Sequence, residues 1–263
     1  MATYLDDIVA AHRRRAASDD RSLEVLLAEV DADHEVRRFR DALQAPGLSV
    51  IAEIKRRSPS KGPLNPDLDP CTVAMDYATG GAVALSVLTD EEHFGGSAVD
   101  LAAARASCGL PVLRKDFTVD ARDVVDARLM GADAVLLIAA VLGDEDLRSF
   151  SELAASIGID ALVEVHDEVE LHRALDVGAT LIGINQRDLV TFAVDTDRAE
   201  RLATQIPAGV VAVAESGVRD NDDAARLAAA GYDAILVGES LVTSADRSQQ
   251  VWSLAGYPIG TRR

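Results

Sequence analysis

Cysteine is close to absent: Cys71 and Cys108 are the only two. They are too few for a disulfide framework, and neither belongs to a CxxC pair of the zinc-binding or redox kind. Aromatic residues reach only 4% of the chain, so Leu, Val, Ile and Ala must fill the interior. No run approaches the roughly 18 uninterrupted apolar residues of a membrane span, and residues 1–20 carry no apolar segment of the secretion-signal type. The expected compartment is the reducing cytoplasm. Basic residues are outnumbered, 26 Lys and Arg against 44 Asp and Glu, for a net charge of −18. Such a field disfavours nucleic acid and membrane as partners. A small molecule remains as the expected partner, bound by a monomer or a weak homo-oligomer.

What the chain does contain is an internal repeat. Eight short apolar runs each follow a glycine: Gly47–SVIAEIK, Gly81–AVALSVL, Gly109–LPVLRK, Gly131–ADAVLLI, Gly158–IDALVEV, Gly178–ATLIGIN, Gly209–VVAVAES and Gly231–YDAILVG. Glycine favours the left-handed turn just past a helix, and runs apolar on both faces suit strands of a covered parallel sheet. Amphipathic stretches lie between them, such as Ala98–Ala106, Ala121–Met130, Glu145–Ile157, Glu168–Val177 and Asp222–Ala230, with Asp144, Asp167 and Asp220 as expected caps. The glycines average about 26 residues apart, close to one βα unit. Eight units in 263 residues fit an α/β fold of the (β/α)₈ TIM-barrel type, which runs to roughly 250 residues. An open doubly wound sheet is the alternative, but the G-x-G-x-x-G fingerprint after the first strand is missing. With no linker in view, residues 1–263 read as one domain, the barrel over 47–263 and a helical N-terminal extension over 1–46. The extension, apolar at Leu5, Ile8, Val9, Leu23, Leu26, Leu27 and Val30, is expected to cover one barrel end.

Barrel enzymes build their sites at the C-terminal strand ends. Those ends carry Glu53 and Lys55, Lys115, Glu164 and His166, Asn185 and Arg187, Glu215 and Ser216, and Gly238 and Glu239. Lysine sharpens the pattern: only Lys55, Lys61 and Lys115 occur, while arginine serves everywhere else. An ammonium can give up a proton where a guanidinium cannot. Ser216–Gly217 and Gly238–Glu239–Ser240 follow the seventh and eighth strands, where barrels commonly grip phosphate, and Ser58 stands in a loop able to close over it. Tight turns needing small residues are the bland reading of the same motifs. Lys55, Arg56, Arg57, Lys61, Arg114, Lys115 and Arg187 are the cations available to an anionic substrate, with Arg56 and Arg57 expected in solvent. Asp116 is expected only to orient Lys115, and Phe117 to line the pocket. His166 and His172 lack metal-binding spacing and read as supporting or surface residues, and His12, His34 and His93 carry no signal.

The segments AEIKRRSPSKG, GGAVALSVLTDE with FGGS, PVLRKDF, GADAVLLIAA, LVEVHDE, IGINQRDL with TF, AESGV and LVGESL, in this order from about residue 49 to 243, resemble the indole-3-glycerol phosphate synthase family. The resemblance implies a lyase of tryptophan biosynthesis, a decarboxylase that needs no metal or organic cofactor. Its substrate would be 1-(2-carboxyphenylamino)-1-deoxyribulose 5-phosphate. It further implies Lys115 as the general acid at the carbonyl oxygen and Lys55 as carboxylate holder and dehydration acid. Glu53 and Glu164 would be proton-handling carboxylates. Asn185 and Ser216 would also stand in the catalytic group, and Phe117, Arg187 and Glu215 at the substrate. Ser58, Gly217, Gly238 and Glu239 would lie at the phosphate. The chain departs from many relatives at Gln186, His93 and Arg122–Asp123, none a proposed catalytic group. Other readings stay open from the residues alone: a barrel such as phosphoribosylanthranilate isomerase, which would want a Cys and an Asp at strand ends; a Schiff-base aldolase; and a non-catalytic scaffold, which would be expected to have lost a lysine or glutamate.

Overall fold

The apolar runs become eight parallel strands: β1 (Ser49–Ile54), β2 (Ala84–Leu88), β3 (Val112–Lys115), β4 (Ala134–Ile138), β5 (Asp160–Val165), β6 (Leu181–Asn185), β7 (Val211–Glu215) and β8 (Ala234–Val237). Each pairs with the next in sequence, and β8 pairs with β1, so the sheet closes on itself. A computed structural model describes residues 4–30 and 35–262; His34 lies outside them. Strand bodies are buried on both faces, against the barrel interior and the helix ring, as their unbroken Val, Ile, Leu and Ala content requires.

Seven of the eight repeated glycines take φ between 77° and 96°, the left-handed turn that carries each helix into the next strand. Gly109 does not. There the helix Ala98–Ser107 exits through Cys108 in extended geometry (φ −150°), so no left-handed residue is needed. Asp167 and Asp220 cap their helices by accepting the backbone N–H of Glu170 and Asp223. Asp144 does not cap: Gly143 holds that position and Asp144 is the first helical residue, paired with Arg173.

Three of the repeats share an aspartate that the sequence reading passed over. Asp133, Asp160 and Asp233 stand at the N-terminal ends of β4, β5 and β8. Asp133 accepts the N–H of Val112 at 2.9 Å and of Arg37 at 2.7 Å. Asp160 accepts that of Arg40 at 2.9 Å, and Asp233 that of Ala212 at 2.8 Å. These carboxylates tie the barrel floor, the end that in this architecture reads as stability.

The N-terminal extension reaches both ends of the barrel rather than one. Helix α1 (Tyr4–Ser18) lies at the C-terminal mouth, with Ile8 and Val9 buried. Helix α2 (Leu23–Glu29) runs beside Ala121–Leu129, and Arg21 joins the two regions by pairing with Asp19 and Asp126. Phe39, fully buried, then inserts at the floor next to the Arg37 and Arg40 contacts. Among the described residues, no helix is long and apolar enough to cross a membrane.

Candidate active site

Side chains alternate along a strand, so neighbours at a strand end face opposite ways. Glu53, Lys115, Glu164, Asn185 and Glu215 line one cavity of about 620 Å³ at the mouth, joined by Lys55 just past β1. Arg114 takes the other face: buried between barrel and helices, it donates to the carbonyl of Asp123 at 2.7 Å and to Asp116 at 3.0 Å. It is therefore not among the cations facing the substrate. Arg56 is not free in solvent either. Its guanidinium grips Asp100 (Nη2 to Oδ1, 3.0 Å) and the carbonyls of Gly95 and Leu68, pinning the loop after β1. Arg57 is exposed as expected.

Lys115 Nζ donates to Glu164 Oε2 at 2.9 Å and lies 3.6 Å from Glu215 Oε2. Asn185 Nδ2 donates to the other oxygen of Glu164 at 3.0 Å. Across the cavity Lys55 pairs with Glu53. Three buried carboxylates thus face two ammonium groups. Burial lowers the Lys115 pKa, but Glu164, Glu215 and Glu53 outweigh it and hold the ammonium protonated well above its ordinary range. Burial raises Glu164, yet Lys115, His166 and Asn185 outweigh it and keep this carboxylate ionised. Glu215 goes the opposite way: burial, then the charge of Glu164, lifts it well above the usual carboxylate range. Its Oε1 has no hydrogen-bond partner among the described residues. One set of environments therefore yields an ionised base, a protonated acid and a charged lysine within a few ångströms.

The far end of the cavity is built from small residues. Ser216 holds a left-handed φ of 65°, unusual for a residue with a side chain, and Gly217 follows at 78°. Gln186, buried, donates to the Ser216 carbonyl at 2.7 Å and supports that turn. A Cβ on Gly238 would run into Glu53 and Lys55, so glycine there keeps the charged pair in place. Gly238 opens the short helix Glu239–Val242. The Glu239 carboxylate turns outward to Lys61, 3.5 Å away, leaving backbone and Ser240 to that end. Ser58 sits in the hairpin of Arg57–Ser58 with Gly62–Pro63, its Oγ accepting the N–H of Lys61. The opposite wall is apolar: Phe117 and Phe94, with ring centroids 6.5 Å apart, face Leu5 and Ile8 of α1. Arg187 lines the same cavity and donates to the carbonyl of Phe192 at 3.1 Å.

Several participants escaped the sequence reading. Asp116 accepts from Thr89, Arg114 and the Phe117 N–H, and makes no bond to Lys115, which it was expected to orient. Asp90, after β2, is held between two histidines: His12 of α1 at 2.9 Å and His93 at 3.0 Å. These three could share a metal ion by distance. However, Arg15 donates to His12 Nδ1 at 2.6 Å, so the ring proton sits on Nε2 and is given to Asp90. The cluster is built as a latch for α1. Tyr4 adds edge-on ring contacts to His93 and Phe192, bridging two mouth loops. Arg122 clamps the end of α1 through the carbonyl of Ala16, and Asp123 closes a capping box, so neither touches the cavity. Gly183, inside β6, lies where a Cβ would strike the Glu215 carboxylate. A glycine in a strand body was the available signal.

Residues 5–254 match the family model for indole-3-glycerol phosphate synthase. A curated relative of that name from Nocardioides sp. is 49% identical over 260 residues, covering 97% of this chain and 98% of the relative. Indole-3-glycerol phosphate synthase 2 of Streptomyces coelicolor is 50% identical over 244 residues, 93% of each chain. Among solved structures, a thiamine phosphate pyrophosphorylase from Pyrococcus furiosus superposes with a TM-score of 0.61 at 16% identity, over 82% of this chain and 95% of that one. That likeness shows the barrel fold alone.

Proposed function

The chain belongs to the indole-3-glycerol phosphate synthase family, and from that premise we propose how its own residues carry the reaction. The enzyme is a carboxy-lyase of tryptophan biosynthesis. It closes the pyrrole ring of 1-(2-carboxyphenylamino)-1-deoxyribulose 5-phosphate, releasing carbon dioxide and water to give indole-3-glycerol phosphate.

In this reading the substrate phosphate rests at the small-residue end, on the backbone of Gly217, Gly238 and Glu239 and under Ser58. The aryl ring lies against Phe117 and the α1 wall. Lys55, next to Glu53, holds the substrate carboxylate. The aryl carbon attacks the ketone, and Lys115 protonates the developing alkoxide. Loss of carbon dioxide restores aromaticity, and Lys55 supplies the proton with which the hydroxyl leaves as water. Glu53 and Glu164 take up protons and steady the positive charge on nitrogen. Asn185 aligns Glu164, Arg187 closes the mouth, and Ser216 and Glu215 complete the polar wall. Each proton transfer is worth on the order of 10²–10⁴ in rate.

The observation that carries this assignment is the Lys115 ammonium held between Glu164 and Glu215. Held between two carboxylates, the lysine is in the protonated form that a general acid must start from, whereas a Schiff-base nucleophile must be neutral. We also read prefix and barrel as one domain, acting as a monomer or weak homo-oligomer in the cytoplasm without nucleic acid or membrane. Steady-state turnover with the substrate and with its dephosphorylated analogue tests the phosphate grip. A KM at least tenfold higher for the analogue is expected, and equal KM values would remove the grip from the account.

A further inference from the structure

His166 lies just past β5, behind Glu164 and outside the cavity lining. Its backbone N–H donates to Glu170 Oε2 at 2.8 Å, and its ring Nδ1 lies 3.0 Å from the same oxygen. Its Nε2 lies 3.4 Å from Glu164 Oε1, at ion-pair distance but without hydrogen-bond geometry. Both ring nitrogens therefore face carboxylate oxygens. A neutral imidazole with its proton on Nδ1 would aim the Nε2 lone pair at the Glu164 carboxylate, whereas the imidazolium presents positive charge to both carboxylates. Glu170 belongs to the first turn of the helix Glu168–Asp176, so the ring is fixed from the helix layer while it bears on the barrel interior. Glu164 thus has a cation on each side, Lys115 within the cavity and His166 behind, with Asn185 on the oxygen that His166 approaches.

We propose that His166 is a positioning residue for the reaction, an imidazolium braced by Glu170 that keeps Glu164 ionised and oriented toward Lys115. The inference rests on the reading of Glu164 as a proton-handling carboxylate. The groups facing the ring are Glu164 from β5 and Glu170 from the helix; Lys115 and Glu215 act on it only through Glu164. Burial opposes charge on the ring, but the two carboxylates outweigh it and lift His166 to about 9. The cation is therefore present across the neutral range.

The test is the pH dependence of kcat for wild type, His166→Gln, Glu170→Gln, Glu164→Gln and the His166→Gln/Glu164→Gln double variant. Loss of the cation favours the protonated form of Glu164. In His166→Gln the acid limb should then move to higher pH, with kcat about tenfold or more lower and KM within about twofold. Glu170→Gln leaves the ring in place but weakens its hold on the proton, so its basic limb should move to lower pH. This variant serves if His166→Gln fails to fold. In the Glu164→Gln background, His166→Gln should cost nothing further, because a residue acting through Glu164 has nothing left to act on. An unchanged pH profile in both single variants, with only thermal stability reduced, would overturn the proposal and leave Glu164's role standing. Turnover surviving Glu164→Gln would overturn both.

Discussion

The ammonium of Lys115 sits 2.9 Å from Glu164 across the barrel mouth, a contact between the ends of β3 and β5. The two residues are 49 positions apart in sequence and meet because alternate strands send their last inward side chain to one layer. In the proposed mechanism the pair holds the proton that the ring closure needs and, once it is given away, leaves a carboxylate beside the neutral amine to help restore it.

Lys115→Arg tests whether charge alone suffices. The guanidinium preserves charge and can pair with the carboxylates but is not a usable acid. We expect kcat to fall by about 10² or more, within the range for a lost acid, while the protein stays folded by circular dichroism. Near-normal turnover would remove the acid role.

Glu215 should influence stability in the direction opposite to an ordinary ion pair. Its folded pKa is raised, so above the ordinary 4.5 the unfolded chain ionises while the folded one stays neutral. The folded state then binds more protons, and stability declines as pH rises. Glu215→Gln removes this term. Its melting temperature relative to wild type should increase from pH 4.5 upward, read by thermal denaturation across pH; parallel curves would contradict a neutral Glu215.

Asp90 carries the reverse sign. Burial raises it, but hydrogen bonds from His12 and His93 outweigh burial and hold it well below its ordinary 3.8. Its stabilisation is present above that value and fades as pH falls toward the folded pKa. Asp90→Asn should therefore be less stable than wild type at neutral pH, with the gap closing below pH 3.8. Because the latch holds α1 over the cavity, KM should also rise. A variant with unchanged KM and stability would show that α1 stays docked without Asp90.

Gly183→Ala places a methyl group where the Glu215 carboxylate lies. The barrel can keep its ladder, so we expect a folded protein with at least tenfold lower kcat. Wild-type turnover would mean that Glu215 moves aside without consequence.

The strands were readable because glycine punctuation and runs apolar on both faces are local. The inward residues followed because they terminate those runs. Parity also separates Arg114 from Lys115, although charge alone had grouped them. What stayed hidden was set by tertiary proximity. Asp90 meets a histidine 78 positions away, and Asp116 serves Thr89 and Arg114 instead of Lys115. His166 looked peripheral because its partner Glu164 points inward from the preceding strand end. The aspartates at the barrel floor recur in the repeat itself, after Gly131, Gly158 and Gly231, but their function needs the neighbouring strand's N–H to be visible.

The most direct measurement mixes purified protein with 1-(2-carboxyphenylamino)-1-deoxyribulose 5-phosphate and follows indole fluorescence, for wild type and for Lys115→Ala at equal folded concentration. The account predicts a rise with wild type and none above background with Lys115→Ala, while the variant still binds the phosphorylated substrate. A comparable rise from the variant would contradict it.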